Sequence, residues 1–423
     1  MAKGRNVLIA QSGGCTAVMN GSLVGVVEEV LEHRDFDKVY GAVHGLAGIL
    51  EGRLLDITML APWVRVRIAG TPGAVLGSGR RSLRPEEMPR VLEVLDKHQI
   101  GYFFAIGGND SAETAHLMAV GAKDMGLDLA VMHVPKTIDN DLVFTDHTPG
   151  YGSAGRFVAL ATMGVGRDAE AMGDASPVTI LEVMGRDAGW LAASAGLAKR
   201  EEMDAPHYIC LPEVTLDENR FLAGMEEAYR RWGFAVAVTA ENVEGPSGPL
   251  GRQQEPYFVD DFGHRYFDGA GRYLAQLVTS HLKVRVRFEK PGTIQRSLMA
   301  CVSDTDAQEA NLVGQAAVRY AIEGHSDSMV SLVRLPGRKY QCDTGLAPLG
   351  EVAGKVRAMP PEYLGDSAGQ VTREYLEYAS PLIGEPLPSY ARLITPGMSW
   401  PSPKGLPPLL TVVWPEYASG YRR

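Results

Sequence analysis

The sequence predicts an α/β fold with mainly parallel sheets. Three observations carry that expectation: apolar strands alternate with amphipathic segments, glycine-bearing turns join strand ends to helices, and the pattern resumes after a turn-rich break. Near-continuous apolar strands, rather than alternating ones, are what a sheet covered by helices on both faces requires.

The elements follow in order. NVLIAQ (6–11) reads as a strand and SGG (12–14) as a turn, and 17–33 then has helical spacing. KVYGAV (38–43) is a second strand. PEEMPRVLEVLDKH (85–98) is a helix, YFFAIGG (102–108) a strand, 111–126 a helix and LAVMHVP (129–135) a strand. The stretch DNDLVFTDHTPGYGS (139–153) is rich in turn formers and suits a lobe boundary. Beyond it, 152–172 is helical, VTILEVM (178–184) a strand, DAGWLAASAGLAKR (187–200) a helix and YICLP (208–212) a strand; 221–232 is a helix and FAVAVTAE (234–241) a strand. From about residue 336 proline and glycine dominate without periodicity, so 336–423 is expected to be an irregular C-terminal extension packed on the outside.

A length of 423 residues allows roughly two to three ordinary domains. Net charge is −10, from 41 basic against 51 acidic residues, and there is no Lys/Arg run, which argues against a nucleic-acid groove. Small anionic substrates remain compatible, because the charge within a site can oppose the net charge. Cys15, Cys210, Cys301 and Cys342 match no zinc spacing and read as reduced, buried hydrophobes. The N-terminal apolar run is too short for a signal peptide. No stretch reaches the ~18 apolar residues of a membrane span, so a cytoplasmic location without membrane partners is expected.

In an open α/β sheet, ligands bind at the carboxyl ends of the strands. Four glycine-bearing or polar loops fall there: SGG (12–14), LGSGRR (76–81), GGNDS (107–111) and PKTIDND (135–141). The first offers backbone N–H groups at a helix start, a natural anion site. None is a Walker loop and none is a dinucleotide fingerprint. PKTIDND could be a mere Asx turn. It also gathers Lys136, Thr137, Asp139 and Asp141, and phosphoryl transfer needs such a cation, hydroxyl and carboxylates. MGRDAGW (184–190), AEN (240–242) and RFEKPGTIQR (287–296) add arginines and Glu241, a set that suits a sugar phosphate.

SGG…TAV.N, LGSGR, GGNDS, PKTIDND, EVMGRDAGW and IQR occur in the order seen in phosphofructokinases, and the chain resembles the pyrophosphate-dependent branch over roughly residues 5–335. The resemblance implies two Rossmann-like lobes with the active site in the cleft between them. The phosphoryl-donor lobe is expected over 1–145, with a return segment near 265–310, and the sugar-phosphate lobe over 146–335. It implies phosphoryl transfer from pyrophosphate to the 1-hydroxyl of fructose 6-phosphate, with Mg2+ as cofactor. On this pattern Asp139 accepts the hydroxyl proton, Thr137 and Ile138 meet the moving phosphoryl group, and Asp141 supports base and metal. Met184, Gly185 and Arg186 line the sugar and Glu241 takes its hydroxyls. Arg296, and by spacing Arg287, hold the 6-phosphate, while Gly13 and Arg80 contact the donor. Some arginines of this kind come from a neighbouring subunit, so a homodimer or homotetramer is implied. Three positions depart from the family pattern: Asn109 stands where many relatives have an acidic metal ligand, Thr293 stands where some ATP-using members place a histidine, and Pro177 lies near where those members carry another phosphate-binding arginine. Asn109 can still reach magnesium through its carbonyl or a water.

Donor choice is expected to rest on Asp110 and Lys136, where ATP-using relatives commonly have glycine. A carboxylate ~4 Å from a nucleotide's α-phosphate would repel it by ~4 kcal/mol at an effective dielectric of ~20, about a thousandfold in affinity. Lys136 supplies a cation for a leaving phosphate that carries no nucleoside. The alternatives are an ATP-dependent phosphofructokinase, the same chemistry on sedoheptulose 7-phosphate, and a catalytically silent sugar-phosphate-binding subunit. Lipid and NAD kinases share a GGD turn but not PKTIDND with MGRDAGW.

Overall fold

Two sheets organise the protein in the computed structural model, which describes residues 5–251, 258–259, 265–266, 269–365 and 369–393. The strands used below are β1 Asn6–Gln11, β2 Val39–Ala42, β3 Leu54–Asp56, β4 Ile100–Gly107, β5 Ala130–Pro135, β6 Val178–Val183, β7 Tyr208–Cys210, β8 Ala235–Ala240, β9 Val286–Glu289, β10 Ser328–Arg334 and β11 Cys342–Pro348. The helices are α1 Met19–Glu32, α2 Asn109–Asp124, α3 Tyr151–Met172, α4 Glu218–Trp232, α5 Ala270–Leu282, α6 Asp304–Ile322 and α7 Arg373–Ala379.

The larger sheet has seven strands in the order β11-β10-β5-β4-β1-β2-β3. Its centre is parallel, with Ala10 opposite Ala105 and Ala105 opposite His133, and β3 and β11 close the two edges antiparallel. Every residue of β1 and β5 is buried, which explains why these strands read as continuous apolar runs. The chain runs outward from β1 to β3 and then crosses to β4, so the order reverses between β1 and β4. The turns after those two strands therefore open side by side, where an α/β sheet binds its ligands. The smaller sheet is parallel in the order β9-β6-β8-β7.

Three expectations are corrected. The return segment near 265–310 does not rejoin the first sheet as a whole, because α5 and β9 lie with the smaller sheet. The return is made by α6 and β10, and α6 packs along α1. Glycines make that crossing close: a β-carbon at Gly25 would strike the Asn311 carbonyl, and one at Gly314 the Ser22 carbonyl. The described residues between 336 and 387 are likewise no outer decoration. β11 extends the larger sheet, and Met359, Tyr375, Tyr378 and Leu382 enter the core of the smaller one. Finally, the helix expected over 187–200 shortens to Trp190–Ala193 followed by a 3-10 stretch Ser194–Ala198. Its small residues let it lie tightly against α3, where Gly155 faces Ser194.

Met1–Leu387 is one compact unit containing both sheets, and Pro388–Arg423 is a second unit. Among the described residues, no helix is long and apolar enough to cross a membrane.

Candidate active site

The C-terminal ends of both sheets face a cleft of about 800 Å³. β1 delivers the SGG turn, in which Gly13 adopts φ +76°, a conformation that favours glycine. The Gly13 N–H donates to the Gly79 carbonyl at 3.0 Å, and the Ser78 hydroxyl donates to the Gly13 carbonyl at 2.6 Å. The 76–81 loop is thereby tied to the first turn, and Arg80 reaches the cleft. β4 delivers Asn109 and Asp110 at the start of α2, where Asp110 lies in the first turn.

β5 runs into PKTIDND. Lys136 is only 2% exposed, and its ammonium donates to the carbonyls of Ser12 at 2.9 Å and Gly14 at 2.6 Å. Burial, reinforced by Arg296 and Arg80, pulls its pKa down to about 8. The loop beyond it is held at Asn140, whose φ of 57° puts Asp139 and Asp141 on either side of a left-handed residue. The Asn140 side chain donates to the Tyr378 hydroxyl at 2.9 Å and accepts the Thr148 N–H at 3.1 Å. Arg357 locks the loop from behind, donating to the Asn140 carbonyl at 2.7 Å and to the Thr145 carbonyl at 2.6 Å while stacking on Trp190.

Electrostatics distinguish the carboxylates. Burial raises Asp139 above the ordinary range, while Arg186, Arg296 and Lys136 pull the other way by favouring its ionised form. Asp141 is pushed up to about 7 by burial and then by the charge of Asp139. Glu241 also reaches about 7, from burial first and the same neighbouring charge second. Its carboxylate accepts the Arg186 N–H at 3.1 Å. These groups form one strongly interacting set under a cationic rim.

Whether the set could hold magnesium turns on Asn109. Its amide donates to Asp141 Oδ2 at 3.0 Å, which leaves Oδ1 buried with no hydrogen-bond partner. An orphaned carbonyl oxygen beside a carboxylate fits a hard cation that takes few protein ligands and keeps water and phosphate oxygens. Among the described residues no group of three or more His, Cys, Asp or Glu side chains converges as a dedicated metal cage.

Gly13, Arg80, Asn109, Asp110, Lys136, Thr137, Ile138, Asp139, Asp141, Met184, Arg186, Glu241 and Arg296 all line this one cleft. Gly185 sits between two of them, with φ 134°. Arg287 does not join them: on β9 it pairs with Asp168 of α3, away from this chain's cleft. Sequence reasoning missed Cys15, Asp187, Asn242 and Lys290 on the cleft wall, and Arg357 and Tyr378 behind it. Asp187, Asn242 and Lys290 each carried a sequence signal, since they lie within MGRDAGW, AEN and RFEKPGTIQR.

The family model described as Phosphofructokinase matches residues 6–321. A pyrophosphate–fructose 6-phosphate 1-phosphotransferase of Rhodospirillum rubrum is 41% identical over 400 residues, covering 93% of this chain and 97% of the relative. A protein of the same name from Xanthomonas campestris is 38% identical over 384 residues, 89% of this chain and 91% of the relative. The crystal structure of a pyrophosphate-dependent phosphofructokinase from Nitrosospira multiformis superimposes with a TM-score of 0.83 at 33% identity, covering 93% of this chain and 95% of that one. The chain belongs to the phosphofructokinase family.

Proposed function

We propose that the protein transfers a phosphoryl group from pyrophosphate to the 1-hydroxyl of fructose 6-phosphate, giving fructose 1,6-bisphosphate and phosphate, reversibly. The observation that carries this reading is Asp139, a carboxylate lining the cleft whose pKa burial raises above the ordinary range, which strengthens it as a proton acceptor, while Arg186, Arg296 and Lys136 oppose that rise. The acceptor's 1-hydroxyl gives its proton to Asp139 as its oxygen bonds to phosphorus, and the bridging P–O bond breaks to release phosphate. Thr137 offers its hydroxyl to the moving group and Gly13 leaves it room, while Lys136 and Arg80 offset charge on the leaving phosphate. Magnesium, when bound, would be held by Asp141 and the Asn109 carbonyl and would neutralise phosphate charge. Arg186, Glu241, Met184 and Arg296 orient the sugar phosphate.

The reading includes a homodimer or homotetramer: Arg287 does not line its own cleft, and the family resemblance implies that some sugar-phosphate arginines come from a neighbouring subunit. The reading also includes a cytoplasmic location. A coupled assay of the purified protein with Mg2+ and fructose 6-phosphate, comparing pyrophosphate with ATP, tests the donor, and turnover with ATP alone would sink the reading. Asp139→Ser tests the base. We expect turnover to fall by a factor of about 10² to 10⁴ while fructose 6-phosphate still binds, and unchanged turnover removes Asp139 from that role.

A further inference from the structure

The sugar end of the cleft carries a cation with no role so far. Lys290 follows β9 directly, and its ammonium lies 2.7 Å from Oε1 of Glu182 on the neighbouring strand β6. The Glu182 carboxylate is 1% exposed, and its Oε2 accepts the Gly271 N–H at 2.8 Å. Glycine at 269 is needed for the same carboxylate, because a β-carbon there would stand 2.5 Å from Oε1. The chain has therefore built a close-fitting socket around one oxygen pair and set a lysine across its mouth.

Neutralising Glu182 does not explain the arrangement, since apolar residues of similar volume stabilise an interior as well as or better than a buried ion pair. The lysine is not buried either: its side chain is 38% exposed, and it lines the cleft beside Glu241 and Asn242. It lies three residues before Thr293, in the loop that ends at Arg296. An ammonium is a compact charge with three N–H donors, and a carboxylate on one side fixes where it points. Thr293, which lines the cleft between Lys290 and Arg296, brings no charge of its own, so a phosphate at this end of the cleft draws its charge from its neighbours.

We propose that Lys290, held in place by Glu182, binds the terminal phosphate of the acceptor alongside Arg296. The proposal rests on the functional reading above and names a residue that sets acceptor affinity within it. The test uses full-length Lys290→Met, with fructose 6-phosphate binding followed by calorimetry in the absence of donor and both KM values measured in the pyrophosphate-driven assay. The acceptor Kd and KM should rise roughly 10- to 100-fold, the worth of one charge-assisted hydrogen bond. The pyrophosphate KM should stay within about threefold, and Lys290→Arg should recover most of the affinity. Lys290→Gln carries the same expectation as Lys290→Met, so a folding defect in one variant does not shield the proposal. A folded variant with unchanged acceptor affinity, or one that loses both substrates equally, overturns the role of Lys290 alone. Wild-type protein that binds no fructose 6-phosphate overturns the functional reading, and this proposal with it.

Discussion

Lys136 shows how much one residue in a short motif can do. From the sequence it is a cation beside a glycine turn; in the structure its ammonium also ties that turn together through the carbonyls of Ser12 and Gly14. Replacing it with glycine therefore removes charge, bulk and two hydrogen bonds at once. Asp110→Gly combined with Lys136→Gly should gain some ATP use and lose most pyrophosphate turnover, and full pyrophosphate turnover in the double variant refutes this account of donor choice. The depressed pKa gives a second check. With a value of about 8 the ammonium is charged at pH 7 and loses its proton in a range where ordinary lysines keep theirs. The KM for pyrophosphate should rise above pH 8, by roughly tenfold per pH unit, the slope of one lost proton. The KM for fructose 6-phosphate should change much less, and a flat pyrophosphate KM from pH 7 to 9.5 contradicts the assignment.

Elements were legible where a local rule produced them. Strands β1, β2 and β4 to β8 and the glycine turns of the first 241 residues follow from apolar runs and turn chemistry, and so do the loops that form the cleft, whereas the short edge strand β3 does not. What stayed hidden depends on contacts across long separations. β10 joins β5 from nearly 200 residues away, and Arg357 reaches back to the Asn140 carbonyl with no periodic signal in its own segment. Arg287 was read from spacing alone, which gives no indication of the Asp168 partner that draws it aside. The element contacts make two predictions. Asp306 on α6 caps α3 across space, accepting the N–H of Gly150 at 2.7 Å and of Ser153 at 2.9 Å plus the Ser153 hydroxyl at 2.5 Å. Asp306→Ala should cost ~2–4 kcal/mol in urea unfolding, from a lost cap and stranded buried donors, and a loss below ~0.5 kcal/mol contradicts the cap. Arg357→Met should lower kcat at least ~10-fold through a loosened base, while fructose 6-phosphate still binds. An unchanged kcat would show that the loop stands without it.

At the scale of the whole molecule, one buried network joins the catalytic loop to the larger sheet and to α6. His147, 1% exposed, lies between Asp146 at 3.1 Å and Glu309 of α6 at 2.6 Å. Arg334 of β10 donates to both Asp146 carboxylate oxygens, and the Tyr340 hydroxyl donates to Glu309. Burial alone would push the imidazole pKa down, but hydrogen bonds and charge from the two carboxylates win and raise it to about 9. The folded value lies above the unfolded one, so the histidine's contribution to stability is fully present below about pH 6.5. It is lost as pH rises through 9. The span between 6.5 and about 9 corresponds to a contribution on the order of 3 kcal/mol. Unfolding free energy measured by urea titration should therefore fall between pH 6.5 and 9.5 in the wild type. Other groups titrate over the same range, so the decisive quantity is the difference from His147→Gln. That variant should be less stable at pH 6.5, and the gap should narrow by pH 9.5. A gap that stays constant with pH would mean that His147 is neutral in the folded protein. The two carboxylates would then be balanced by Arg334 alone.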